Sequence, residues 1–189
     1  LAVHALVTTH LSAAAAMFSW ILLEYLKNGK PSLVGASTGL VAGLVAITPG
    51  AGFVSTWSAV IIGLLFSPVC FYVIAIVKHK LGYDDALDAF GCHGVGGIFG
   101  GIVTGLFTTP ELALDPDNIG LIYGNPRLFL VTIAAIVFTI VWSAGMTFVL
   151  MKGISFFMPL RVSDREEVIG LDDTEHGETA YPTFMGLDS

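Results

Sequence analysis

The chain has 189 residues, of which 54% are hydrophobic and only 12% charged, where soluble domains carry about 25% charged residues. With a mean hydropathy of +0.82, this composition describes an integral membrane protein and excludes a soluble domain built around one large core. The net charge of −7 gives no basis for a nucleic-acid partner, because much of the acid lies in the C-terminal tail and two short connections.

Leu1 already lies inside an apolar run, with no initiator Met, basic n-region or cleavage pattern. The chain therefore reads as a fragment, or as one trimmed at its N-terminus. The first segment, 1–26, is charge-free until Glu24 and long enough to span a bilayer, which takes roughly 20 apolar residues. His4, Thr8, Thr9 and Ser12 make its first half polar, as expected of a face packed on protein. Pro31 to Val77 is also free of charge and too long for one helix. Thr48-Pro49-Gly50-Ala51-Gly52 breaks it, since Pro removes a helix donor and Gly favours turns. The resulting helix at 32–48 is short for a span. It carries Gly35, Gly39 and Gly43 in one stripe, a pattern that lets helix backbones approach closely in lipid. The helix at 54–78 is bulkier, with a kink expected at Pro68, and reads as the most lipid-exposed of the set. Cys70 within it and Cys92 in the next read as buried thiols rather than a disulfide.

The fourth span, 87–108, follows Asp84, Asp85 and Asp88 and is dense in glycine. A polar loop leads to a fifth span at 127–158, and 161–189 is an acidic aqueous tail. The chain thus divides into a transmembrane region, 1–160, and a tail. Seven of the eight basic residues fall on the side reached after the first, third and fifth spans. The positive-inside rule puts that side, and the tail, in the cytoplasm.

His93 is the one ionisable residue inside the fourth span, and an intramembrane ionisable residue is a functional candidate by default. At about 100° per residue, His93 shares a broad face with Gly96, Gly97, Gly100, Gly101 and Gly105. Val95, Ile98, Phe99, Ile102, Val103 and Leu106 take the other face. His93 therefore points at protein or a cavity, not lipid. Three readings stand: a histidine hydrogen-bonded to a neighbouring helix, a metal or haem ligand, and a pore-lining ring. The second is disfavoured, since no further His, Cys or carboxylate stands at ligand spacing, and no cofactor is expected. A neutral imidazole offers one donor and one acceptor, so the third would pass hydrogen bonds to a small polar permeant and relay a proton.

At these residues the sequence resembles the ammonium transporter family (Amt/MEP, related to Rh proteins). The resemblance runs through Asp84-Asp85-x-x-Asp88-x-Phe90-Gly91-x-His93-Gly94-Val95-x-Gly97, and through Gly29-Lys30-Pro31-Ser32-Leu33. It continues in Gly35-Ala36-x-Thr38-Gly39-x-Val41-Ala42-Gly43-Leu44-Val45, Thr48-Pro49, and the tail Gly170-Leu171-Asp172-x-x-Glu175-His176-Gly177-Glu178-x-Ala180-Tyr181. It implies an all-α membrane protein of eleven spans, of which this chain is similar to spans seven to eleven. It implies ammonium or ammonia as substrate, a homotrimer with one pore per protomer, a plasma-membrane location and no enzymatic reaction. His93 matches the second of two pore histidines, Val41 and Ala89 match pore-wall positions, and Thr38 matches a small polar residue near the path. Asp85 and Asp88 match acids at the start of the fourth span, where capping of the helix and its dipole is the expected role. The matching tail implies regulation: a PII-type protein at the cytoplasmic face in prokaryotic members, and phosphorylation at the position of Thr174 in some plant members. The first histidine and the outer ammonium site belong to spans one to six. An ammonium-sensing receptor on the same scaffold and a non-transporting truncated homologue are the alternative readings.

Overall fold

The computed structural model describes residues 1–178. They form helices and turns, with one isolated antiparallel bridge, Val54 to Thr108. Five helices carry the apolar sequence. These are α1 (Ala2–Asn28), α2 (Leu33–Ile47), α3 (Thr56–Leu81), α4 (Phe90–Phe107) and α5 (Arg127–Ser155). A short amphiphilic helix, α6 (Asp164–Ile169), lies in the tail. Four of the five apolar helices have the length and composition to cross a membrane, and α2 is shorter. The chain divides into two compact units, Leu1–Thr139 and Ile140–Ser189.

Local chemistry explains the helix ends. Ser32 accepts the Gly35 N–H and Ser55 accepts the Ser58 N–H, so α2 and α3 each start on a serine cap. Helix α1 ends at Gly29, whose φ of 74° is left-handed, the usual glycine stop. Helix α4 begins later than expected. Residues 84–88 form a turn instead, and Asp88 has a positive φ of 56°.

The core of the first unit lies among α1, α2, α3 and α4, around Trp20, Ala46, Ile47, Ile62, Phe66 and Cys70. The stripe on α2 is a packing seam against α1. A Cβ on Gly43 would stand 2.5 Å from the Ser12 carbonyl oxygen and 2.8 Å from Ala13 Cα, distances that only glycine permits. The Ser12 hydroxyl donates to the Gly43 carbonyl at 2.9 Å across this seam. The rest of the polar face of α1 turns to the break between α2 and α3. His4 Nε2 donates to Val54 O at 2.8 Å, and Thr8 Oγ1 reaches Ala51 O at 2.5 Å.

Within this chain, helix α3 is less exposed than its bulky residues suggest: Ala59, Ile62, Gly63, Phe66, Ser67 and Cys70 are all buried on it. Helix α5 has no buried residue in this chain. A second run of small residues, Ala59, Gly63 and Ser67, is buried on α3, and Gly63 seats the helix against Ser12 and Ala16 of α1.

Candidate functional site

Helix α3 is interrupted by a wide helical turn of the i→i+5 type, and helix α4 opens with one. One covers Val73–Val77 and the other Phe90–Gly94. Such turns insert a residue into an α-helix and are frequent at functional sites. The two are packed on each other: a Cβ on Gly91 would meet Ile74 Cγ1 at 2.7 Å. The Cys70 thiol donates to the Gly91 carbonyl at 3.6 Å, and its sulfur lies 3.8 Å from that of Cys92.

His93 belongs to the second wide turn, which shifts its direction relative to the helix that follows. The small-residue face of α4 is consequently divided. Gly96 and Gly100 lie against α2 and α3, while Gly101 and Gly105 lie against Ile136 and Phe129 of α5. His93 and Gly97 face the open space between these two contacts. The bulky face divides too, since Val95, Phe99 and Val103 join the core and Phe99 packs on Phe66 with ring centroids 5.0 Å apart.

His93 lines a groove of about 540 Å³ between the first half of α2 and the start of α4. Thr38, Val41 and Ala89 line the same groove, together with Leu33, Val34, Ser37, Leu87 and Cys92. The four residues singled out from the sequence for a transport path therefore meet on one surface. The walls are apolar, and the polar groups are few and biased. Thr38 Oγ1 donates to Val34 O and Ser37 Oγ donates to Leu33 O, each at 2.9 Å. Both hydroxyl protons are spent on the helix, so these oxygens offer acceptor lone pairs. Ser37 was not singled out from the sequence. Its signal was there: a hydroxyl residue beside Thr38, each four positions after a helical carbonyl it could bond.

The acids at the start of α4 have separate roles. Asp85 accepts the Ala89 and Phe90 N–H groups at 2.8 Å each, satisfying donors that a helix start leaves unpaired. Asp88 instead forms an ion pair with Lys78 Nζ at 2.7 Å, joining the end of α3 to the start of α4. In the second unit, Thr174 lies in the turn Asp172–His176 and donates to the Gly170 carbonyl at 2.9 Å. The Ala180 and Tyr181 positions of the tail resemblance lie outside the described residues. Among the described residues, no group of three or more His, Cys, Asp or Glu is placed to hold a metal ion.

An all-helical membrane protein with an apolar groove and a few aligned hydrogen-bonding groups is a candidate to pass or hold a small polar solute. Comparison with known proteins identifies the lineage: residues 1–181 match the Ammonium Transporter Family, and the chain belongs to it. It is 48% identical over 184 residues to the ammonium transporter of Bacillus subtilis (strain 168), covering 97% of this chain and 45% of that protein. The crystal structure of Saccharomyces cerevisiae Mep2 superposes with a TM-score of 0.82 at 32% identity, over 97% of this chain and 42% of Mep2. A structure described as a sensor Amt protein gives 0.79 at 26% identity, over 91% of this chain and 41% of its own. The chain thus spans less than half the length of these relatives.

Proposed function

We propose that this chain supplies one wall of a membrane path for ammonium or ammonia, as part of a longer transport protein that is not an enzyme. The observation that carries the reading is the acceptor character of the groove. Thr38 and Ser37 present lone pairs beside an imidazole, among Val34, Val41 and Leu87. Ammonium carries only donors, and ammonia carries three donors and one acceptor. Both are matched by hydroxyl acceptors and by a histidine that can serve either way. The apolar wall makes a bare cation expensive, so loss of a proton before passage lowers the cost, and the histidine hydrogen-bonds the neutral molecule midway. Asp85 acts as a structural cap at the mouth, and Asp88 ties the start of α4 to the end of α3 through Lys78.

The same reading puts the protein in the plasma membrane as a multi-pass homotrimer with a cytoplasmic C-terminus. Thr174 and a PII-type protein are its regulators at that face. The basic residues at the ends of α1 and α3 support this orientation. A second reading, an ammonium sensor, draws on the likeness to the sensor Amt structure. It predicts saturable ammonium binding without flux.

The test is His93→Ala in the full-length protein, reconstituted in vesicles, with methylammonium uptake and charge moved per substrate as readouts. Losing one hydrogen bond of about 0.5–1.5 kcal/mol changes the rate roughly two- to tenfold, with assembly intact. Unchanged uptake and unchanged charge coupling would reduce His93 to a packing residue and end the reading.

A further inference from the structure

The transport path makes no use of the thiols of Cys70 and Cys92, yet they are buried side by side at the junction of the two wide turns. Their sulfurs are 3.8 Å apart, and Cys92 lines the His93 groove while Cys70 lies behind it, fully buried. Three features hold the pair together: the Gly91–Ile74 contact, the Cys70 hydrogen bond to Gly91 O, and the Lys78–Asp88 ion pair a few residues away.

We propose that Cys70 and Cys92 form a two-thiol site for a soft, two-coordinate divalent metal ion of the mercuric type, entered from the groove. Thiolate sulfur selects soft ions. A metal–sulfur bond of roughly 2.3 Å puts two sulfurs about 3.8 Å apart at the tetrahedral angle and about 4.6 Å apart when the ion is linear. The observed separation of 3.8 Å lies at the closed end of that range, and a linear ion requires the two sulfurs to part by about 0.8 Å. Charge selects the ion further. A divalent cation with two thiolates is neutral, the one state an apolar site accepts without a large desolvation penalty. Zinc is not the natural fit, because structural zinc takes four ligands and, among the described residues, no third metal-binding side chain joins the cysteines.

The chemistry balances without an oxidant. Neutral mercuric chloride enters the groove, two Hg–S bonds form as two Hg–Cl bonds break, and the two thiol protons leave with the chlorides. The product is a covalent bridge between α3 and α4 beside His93. That the bridged groove is the transport path rests on the proposed function; binding itself does not.

The experiment uses full-length protein in which Cys70 and Cys92 are the only cysteines, with mercuric chloride as probe and methylammonium uptake as a separate readout. The expected result is one mercury per chain, retained at least tenfold longer against a monothiol such as 2-mercaptoethanol than in Cys70→Ser or Cys92→Ser. Cys70→Ala and Cys92→Ala, which remove the sulfur without adding a buried hydroxyl, repeat the comparison. Equal release from the pair and from the single variants would overturn the site, as would two mercury ions per chain. Retention of one mercury without any change in uptake would uphold the site and count against the groove as the path.

Discussion

Gly43→Ala tests the closest approach in the fold. The added methyl would start 2.5 Å from the Ser12 carbonyl oxygen and 2.6 Å from Ala16 Cβ. Two of its neighbours are backbone atoms of α1, which no side-chain rotation can move, so the helices must separate. Relief to an ordinary contact takes about 1 Å, since carbon atoms pack best at roughly 3.5–4.0 Å. That displacement carries the Ser12–Gly43 hydrogen bond from 2.9 Å beyond bonding range. Overpacking costs about 1–3 kcal/mol, and an interhelical hydrogen bond in a membrane contributes about 0.6 kcal/mol on average and up to about 1.7. Alanine returns up to about 1 kcal/mol of helix propensity. The expected net loss is therefore roughly 1–3 kcal/mol. Reversible unfolding of the full-length protein in mixed micelles measures it, and a double-mutant cycle with Ser12→Ala isolates the hydrogen bond. A neutral or stabilising Gly43→Ala would refute the α1–α2 seam. Zero coupling in the cycle would refute the hydrogen bond while leaving the seam.

Asp88 is a non-glycine residue in the left-handed region, tied to Lys78. Asp88→Asn keeps a side chain that tolerates this backbone and should cost less than Asp88→Val, by about 1–2 kcal/mol; thermal unfolding of the two variants decides it. In α6, hydrogen bonds from the Ser163 hydroxyl and N–H hold the Glu166 carboxyl below its usual range. A depressed pKa stabilises above the unfolded value near 4.5 and is lost as pH falls through the folded one. Amide exchange across α6 should therefore accelerate in acid, and Glu166→Gln should make it insensitive to pH in that window.

The sequence made the order of the helices legible because charge-free runs, a Pro-Gly break and clustered basic residues each have one simple physical reading. The polar half of α1 was legible as a protein-facing surface for the same reason. The fine geometry around His93 was not. A uniform 100° step cannot foresee the wide turns at Val73–Val77 and Phe90–Gly94, which meet where Gly91 lies against Ile74. The left-handed Asp88 was not legible, since acids before a helix suggest caps; Asp85 has that hydrogen-bonding geometry, and Asp88 pairs with Lys78 instead. The buried face of helix α3 was not legible because its large residues outweighed the spacing of Ala59, Gly63 and Ser67. His93 was legible as an ionisable residue within a span, but Thr38, Val41 and Ala89 were named through resemblance, and periodicity alone would not have brought α2 and α4 to one groove.

The contacts that α1 makes with the broken segment after α2 bear on how the chain enters the bilayer. Fifteen residues of α2 rise only about 22 Å, short of a hydrocarbon core of about 30 Å. The carbonyls of Ala51 and Val54 thus fall where water is scarce, and an unsatisfied one costs several kcal/mol. Their partners, Thr8 and His4, belong to a helix that precedes the break in the chain. By the time the break leaves the ribosome, the groups that will solvate it are already in the membrane. Helix α1 is in that sense a template that allows an irregular backbone to be inserted behind it.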